Sequence, residues 1–231
     1  MVLETIGVGA KLVEAYGEAY FEGRGSNYWW TVGSYQNFRR FPHWEEILKT
    51  VRSYRRSGRL LDIGCAYGLL VRAASKDFEA FGMDISSFAL SKSRRFCDGN
   101  VSKACASSLP FKDEAFDVVT LIDTLEHVSR LNQCLEDIAR ILKRRGVLML
   151  QLPNPLIWTQ VCSHLGLGDD THRSDLGMET WKGILRENGL IAKACYGMIS
   201  YALGKAQFFV KSKRLLNLFP EWWIVAEKRS L

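Results

Sequence analysis

The chain has 231 residues and a mass of 26.3 kDa, enough for one full domain with elaborations. Hydrophobic residues make up 47% and charged residues 24%, an ordinary globular composition that excludes wholesale disorder and low-complexity sequence. Basic side chains number 31 and acidic side chains 25, so the net charge is +6. That balance leaves nucleic acid open as a partner without favouring it.

The sequence carries no sign of a membrane, disulfide or metal protein. No apolar run is long enough to cross a bilayer, and Glu4 in a start without basic residues argues against a secretory signal. The six cysteines form no CxxC pair and the four histidines no HxxxH pair. We therefore expect a soluble cytoplasmic protein with no metal site.

Residues 1–56 are rich in aromatic side chains and predict short helices. Glycines within 22–26 and the pair Phe41-Pro42 interrupt this segment. We expect it to form an N-terminal helical cap that makes one structural unit with residues 57–231.

From residue 59 the pattern changes to strands alternating with helices. Apolar runs predict strands at 60–63, 80–83, 116–122 and 146–152, and helical spacing predicts helices at 68–76, 86–96 and 130–143. Ser86 or Ser87 is the expected cap of the second of these helices. Such alternation predicts an α/β fold with a doubly wound, mostly parallel sheet.

The pattern weakens after residue 156. A helix is expected at 178–188, followed by strands at 190–196 and 222–227 with an insertion at 198–220 between them. Trp222 and Trp223 are adjacent on a predicted strand, so they should face opposite sides of the sheet. We expect one of them in the core and the other facing substrate, a partner or a membrane surface.

A glycine-rich loop after the first predicted strand is the sharpest feature of the sequence. Asp62 precedes Gly64-Cys65-Ala66-Tyr67-Gly68, whose small residues let a ligand approach the backbone. Asp84 ends the next predicted strand, 22 residues after Asp62, where a ribose diol would meet a carboxylate. The two features predict a nucleotide-like cofactor.

Two kinds of cofactor compete for this loop. A dinucleotide fingerprint needs the pattern G-x-G-x-x-G. After Gly64 this loop has Ala66 where the second glycine would stand, and Gly68 comes only two positions later. The third glycine is absent, since positions 69 and 70 are leucines. Asp62 would repel a pyrophosphate, whereas a carboxylate favours an ammonium or a sulfonium. The residues therefore favour a cationic cofactor, and an NAD-dependent dehydrogenase is the weaker interpretation.

Several segments resemble class I S-adenosylmethionine-dependent methyltransferases, in matched order and spacing. The matching segments are 60–68, 82–86, 108–119, 123–128 and 152–154. The later ones are similar to small-molecule methyltransferases related to ubiquinone-biosynthesis enzymes. The resemblance implies a Rossmann-like sheet of seven strands that ends in an antiparallel hairpin, with S-adenosylmethionine as cofactor and S-adenosylhomocysteine as product.

The resemblance also implies a set of cofactor-binding residues at the strand ends. They are Asp62, Gly64, Cys65, Ala66, Gly68, Asp84, Ile85, Cys105, Ala106, Ser107 and Asp123. Asp62 would orient the ammonium of the methionine end, Asp84 would accept both ribose hydroxyls, and Ile85 would flank adenine.

One position departs from the family pattern. Relatives often carry an acid that contacts the adenine amino group where this chain has Cys105. Adenine would then rely on backbone groups around Ala106 and Ser107. The family pattern also implies that Asp123 approaches the amino group of the cofactor.

Three side chains are candidates for the acceptor side of the site. His127 follows the fourth predicted strand and is the best candidate for a general base, although a structural role, at a helix start or in a hydrogen-bond network, is the favoured interpretation. His172 resembles a loop histidine that follows the fifth strand in relatives, and both a place in the acceptor pocket and a plain loop role are open for it. Trp30 is a candidate lid residue.

The expected activity is methyl transfer to an oxygen or nitrogen of a small molecule. An RNA methyltransferase stays an alternative because of the basic clusters, and so does a non-catalytic protein that only binds S-adenosylmethionine. The identity of the acceptor and the oligomeric state are not readable from the sequence.

Overall fold

An α/β sheet organises the part of the chain that the structure, a computed structural model, describes: residues 15–23, 34–40, 42–97, 100–157, 172, 176–203 and 206–230. The strands are β1 Gly58–Ile63, β2 Phe78–Asp84, β3 Val101–Lys103, β4 Phe116–Ile122, β5 Leu142–Pro153, β6 Leu190–Leu203, β7 Ala206–Ser212 and β8 Glu221–Lys228. The helices are α1 Glu18–Glu22, α2 His43–Arg52, α3 Leu69–Ala74, α4 Ser87–Ser93, α5 Leu131–Ile141, α6 Pro155–Ile157 and α7 Met178–Glu187.

The sheet order is β3-β2-β1-β4-β5-β8-β6-β7. Strands β1 to β5 run parallel, while β8 lies antiparallel between β5 and β6. The predicted doubly wound α/β architecture is therefore confirmed. Its parallel strands bring their carboxyl ends to one edge of the sheet, which is where a fold of this kind binds its ligand.

The expected strand number needs a correction from seven to eight. β7 is the additional strand, and it arises inside the segment 198–220 that the sequence indicated as an insertion. β6 continues past its last pairing with β8, between Met198 and Glu221, and residues 199–203 pair only with β7. The insertion therefore builds a β-hairpin on the edge of the sheet.

Helices cover both faces of the sheet. One core cluster packs α5 and α7 against the sheet through buried residues such as Leu135, Ile138 and Trp181. The other packs α2 and α3 through Ile47 and Leu70. Within the described residues, no helix combines the length and apolar character needed to span a bilayer.

The two adjacent tryptophans on β8 do face opposite sides, but neither is exposed. Trp222 belongs to the first core cluster and Trp223 to the second, and each is 1% exposed. The expectation that one of them meets a ligand or a membrane was wrong, because helices cover both sides of β8. Each indole N–H is satisfied inside the protein, at Leu216 O and at Gln151 Oε1 respectively.

The described part of the N-terminal segment packs on the glycine loop. Tyr20, Phe21 and Tyr35 form a buried cluster with Ala66 and Tyr67 of the loop. Glu22 strengthens this contact because its carboxylate accepts hydrogen bonds from the hydroxyls of Tyr67 and Ser34. The division of the chain at residue 56 stays a prediction.

Candidate cofactor and acceptor site

A cleft opens at the carboxyl ends of β1, β2 and β4. Its lining combines backbone of the glycine loop, apolar side chains and two acids: Tyr16, Tyr20, Phe21, Tyr35, Ile63, Gly64, Ala66, Met83, Asp84, Ile85, Ala104, Cys105, Ala106, Ser107, Ile122, Asp123, Thr124, His127, Val128 and Ser129.

Asp84 is the most firmly held acid of the cleft. It ends β2 and is 7% exposed, with its Oδ2 accepting the Ala66 N–H at 2.8 Å and its Oδ1 accepting the Ser86 N–H at 2.7 Å. Burial raises the pKa of this carboxyl, although backbone N–H donors including that of Ile85 oppose the rise. A carboxylate has lone pairs beyond these bonds, so Asp84 can also accept two hydroxyl groups of a ligand.

The glycine loop depends on the absence of side chains at two positions. Gly64 has φ +77°, and a Cβ there would lie 2.3 Å from Thr124 Oγ1. Gly68 has φ +69° at the start of α3, and a Cβ there would lie 2.2 Å from Cys97 Sγ. Both backbone conformations are ones that side chains rarely adopt, so only glycine fits this turn without strain.

Asp62 lies deeper than the sequence suggested. It is 4% exposed, and its Oδ1 accepts a hydrogen bond from Thr120 Oγ1 at 2.7 Å. Burial raises the pKa of Asp62 to about 7, the Thr120 hydroxyl opposes that rise, and the charge of Asp84 adds to it. Asp62 is not among the described residues that line the cleft.

Asp123 ends β4 in the left-handed region with φ +46° and lines the cleft. Its Oδ2 accepts a hydrogen bond from Gln151 Nε2 at 2.8 Å, and Gln151 Oε1 in turn accepts from Trp223 Nε1. Burial raises the pKa of Asp123 to about 6, while the Gln151 amide opposes it. Burial also raises the pKa of Glu221 on β8, and the charge of Asp123 adds to that rise.

His127 stands at the other side of the cleft, in a 3₁₀ turn over Leu125–His127 that follows β4. Its ring meets the Tyr16 ring edge-on at 5.9 Å and the His172 ring at 4.9 Å between centroids. The Glu126 carboxylate is 1% exposed, and its Oε1 lies 4.0 Å from His127 Nε2. Two histidines and a buried acid therefore converge here.

The cleft brings together most of the residues that the sequence singled out. Those that line it are Gly64, Ala66, Asp84, Ile85, Cys105, Ala106, Ser107, Asp123 and His127. Cys65 and Gly68 shape the loop from outside the described lining, and His172 reaches the site through His127. Trp30 lies outside the described residues.

Sequence reasoning missed the partners that hold the acids in place. Thr120 binds Asp62 and Gln151 binds Asp123, and both partners are buried on β4 and β5. A buried polar residue inside an otherwise apolar strand, as in the runs at 116–122 and 146–152, was the available signal.

The charged side chains in the described lining of the cleft are acidic. Among its described residues there are two carboxyl groups, Asp84 and Asp123, and neither lysine nor arginine. Buried Asp62 adds a third acid close to Asp84, whose charge raises its pKa. Such a site suits a ligand that carries positive charge and disfavours a pyrophosphate.

Comparison with known proteins finds methyltransferases that match part of this chain. Residues 61–150 match the family described as a methyltransferase domain. An uncharacterized methyltransferase of Bacillus subtilis, YcgJ, is 30% identical over 160 residues, which are 62% of this chain and 61% of YcgJ. A ubiquinone/menaquinone biosynthesis C-methyltransferase of Azotobacter vinelandii is 33% identical over 124 residues, which are 48% of this chain and 49% of that protein. The chain therefore matches less than two thirds of these curated relatives.

Solved structures support the same fold. A crystal structure of a possible histamine N-methyltransferase from Thermotoga maritima matches with a TM-score of 0.68 at 18% identity, over 88% of this chain and 98% of that one. Together with the glycine loop and the acid at the end of β2, the comparisons therefore show that residues 61–150 match a methyltransferase domain and that the fold resembles that of a solved S-adenosylmethionine-dependent methyltransferase.

Proposed function

We propose that the protein transfers the methyl group of S-adenosylmethionine to an oxygen or nitrogen atom of a small-molecule acceptor. The observation that carries this proposal is the lining of the cleft, which among its described residues offers carboxyl groups and aromatic rings but no lysine or arginine. S-adenosylmethionine carries an ammonium and a sulfonium, so its charge complements these acids.

The residues fit the cofactor in three regions. Asp84, fixed by the N–H groups of Ala66 and Ser86, would accept the ribose hydroxyls. Ile85 and the segment 104–107 supply apolar surface and backbone groups for adenine. Asp123 would face the ammonium of the methionine end.

Asp62 would act on the same ammonium through its charge. Because its carboxyl does not belong to the described lining, we assign it a long-range electrostatic role instead of a direct contact. Its pKa of about 7 means that a nearby cation would favour the ionised form and lower that pKa.

The protein has to align the acceptor and help it lose a proton. When bound, the cofactor supplies an electrophilic methyl carbon, which forms a bond to the acceptor atom as the sulfur–carbon bond breaks and the electron pair stays on sulfur. The side chain of His127 lines the cleft and is the group best suited to meet the departing proton.

The aromatic side of the cleft supports a small, flat or apolar acceptor. Tyr16, Tyr20, Phe21 and Tyr35 line it together, and edge-on ring contacts between 5.0 and 5.5 Å join them in the sequence Tyr16, Tyr20, Phe21, Tyr35. The relatives named for quinone biosynthesis act within small-molecule metabolism, which supports the same class of acceptor.

The test is a methyl-transfer assay with S-adenosylmethionine labelled in the methyl group. A panel of phenols, amines and quinol precursors would be offered beside a total-RNA sample, and the labelled product would be separated by size. We expect label in a small molecule. Label in RNA would replace the small-molecule assignment, and cofactor binding without turnover on any acceptor or cell extract would make the protein a binding module.

Two variants keep this assay interpretable. Asp84→Asn removes the charge of the ribose acceptor and should lower the affinity for S-adenosylhomocysteine. Asp113→Asn is its matched control because that side chain is 76% exposed and does not belong to the described lining. Equal loss of turnover in both variants would contradict the assigned cleft.

A further inference from the structure

We propose that Glu126, His127 and His172 form a binding site for a divalent transition-metal ion at the acceptor side of the cleft. Each residue can offer one ligand atom, and these three atoms all lie within 4.8 Å of one another. The sequence predicted no metal site because the ligands fall in two segments, separated by 45 positions between His127 and His172.

The fold fixes two of the three ligands. Glu126 and His127 lie in the tight turn at the end of β4, where the backbone N–H of His127 donates to Thr124 O at 3.1 Å. The Glu126 side chain is 1% exposed and that of His127 is 12% exposed. This burial restricts the rotamers of both side chains, so a metal ion would find them nearly in place.

His172 completes the site from a later segment of the chain. Its ring meets the His127 ring at 68° with 4.9 Å between centroids, which places a nitrogen atom of each ring within 4.8 Å of the other. In a tetrahedral site with bonds of about 2.1 Å, ligand atoms are about 3.4 Å apart. The three ligand atoms, which lie within 4.8 Å of one another, would have to move closer together as an ion binds.

The chemistry of the ligand set favours a transition metal over magnesium or calcium. Two imidazoles and one carboxylate are the ligands of catalytic zinc sites and of non-haem iron sites, whereas magnesium and calcium prefer oxygen donors alone. Three protein ligands also leave coordination positions open. Because His127 lines the cleft, those open positions face the space for the acceptor.

The position of the ion limits the chemical class of the acceptor, and this step rests on the proposed function. An acceptor with a hydroxyl group beside a second oxygen donor could bind such an ion through both oxygens. The ion would lower the pKa of that hydroxyl, whose proton would pass to solvent before its oxygen forms the bond to the methyl carbon. His127 would then act as a metal ligand and not as the general base.

The experiment measures metal binding without any turnover. Untagged protein, stripped with chelator, would be titrated with Co²⁺ by visible absorption and with Zn²⁺ by calorimetry. We expect one ion per chain, and at least a tenfold loss of affinity in His172→Ala and in Glu126→Gln. Asp113→Asn is the matched carboxylate control and should bind as the wild type does.

Two results would overturn the metal site: no binding of either ion by the wild-type protein, or equal binding by the wild type and both ligand variants. Since Glu126 is buried and its substitution could unfold the turn, His172→Ala is the decisive variant. A parallel titration with S-adenosylhomocysteine separates the two proposals. Cofactor binding without metal binding removes only the metal site, and metal binding without cofactor binding removes only the proposed function.

Discussion

Replacing Asp62 with asparagine should make the protein more stable at pH 8 while it weakens cofactor binding. Asp62 is 4% exposed, and its Oδ1 accepts a hydrogen bond from Thr120 Oγ1 at 2.7 Å. Burial raises its pKa to about 7 from the usual 3.8. The folded protein therefore binds a proton at Asp62 more tightly than the unfolded chain does, so the free energy of unfolding falls as pH rises from about 4 to about 7.

The magnitude follows from this difference in pKa. A gap of roughly three pH units at about 1.4 kcal/mol per unit gives a cost of about 4 kcal/mol for the ionised carboxylate above pH 7. Asparagine removes that cost and its Oδ1 can keep the Thr120 hydrogen bond, but its buried amide N–H groups cost about 1–3 kcal/mol if they find no acceptor. We expect a net gain of about 1–3 kcal/mol at pH 8, and between no change and a loss of about 2 kcal/mol at pH 5.

Urea unfolding followed by tryptophan fluorescence at pH 5 and pH 8 measures this effect. The wild-type protein and the exposed control Asp113→Asn should share the same change in free energy of unfolding between the two pH values. In Asp62→Asn that change should be about 3 kcal/mol more favourable to the folded state at pH 8. An identical change in Asp62→Asn and the wild type would refute the assignment of a high pKa to Asp62.

Three further predictions concern the loop, its acid and one surface contact. Asp84→Ala should lower the affinity for S-adenosylhomocysteine at least about a hundredfold in calorimetry, because it removes a charged acceptor and leaves two backbone N–H groups without their partner. Unchanged affinity would show that Asp84 does not bind the ribose. Gly64→Ala should destabilise the protein more than Gly189→Ala in thermal unfolding, since both have positive φ but only Gly64 lacks space for a Cβ; equal shifts would contradict this. Arg140→Ala should cost about 1–3 kcal/mol in urea unfolding because its guanidinium binds the carbonyls of residues 109 and 111 as well as Asp137; a neutral effect would make that contact irrelevant.

Most of the parallel half of the fold could be predicted from the sequence because every element except β3 carries a strong local signal. The apolar run at 116–122 is β4 as expected, and Ser86 caps α4 by accepting the Ala89 N–H at 3.0 Å. β3 has only three residues, none of them fully buried, so no hydrophobic pattern in the sequence predicted it.

The antiparallel end of the sheet was harder to predict from the sequence, for a physical reason. Residues 199–203 and β7 pair with each other beyond the edge of β8, so their sequence does not have to show the continuous apolar pattern of a buried strand. The exposure of Trp222 and Trp223 was mispredicted for a related reason, since alternation tells which faces they point to but not that helices cover both faces.

In the candidate site, local motifs predicted the loop and its acid, while long-range contacts escaped prediction. The position of Asp84 at the cleft agrees with the spacing from Asp62. The approach of His172 to His127 depends on the tertiary fold, and no sequence spacing indicates it. The same holds for Gln151, which reaches Asp123 across neighbouring strands.

The most direct test of the account is a calorimetric titration of the protein with S-adenosylmethionine, S-adenosylhomocysteine and NAD in parallel. The acidic, lysine- and arginine-free lining in the described residues predicts binding of the first two at micromolar concentrations and no binding of NAD. Binding of NAD alone, or of none of the three, would contradict the assignment of this cleft to a cationic methyl donor.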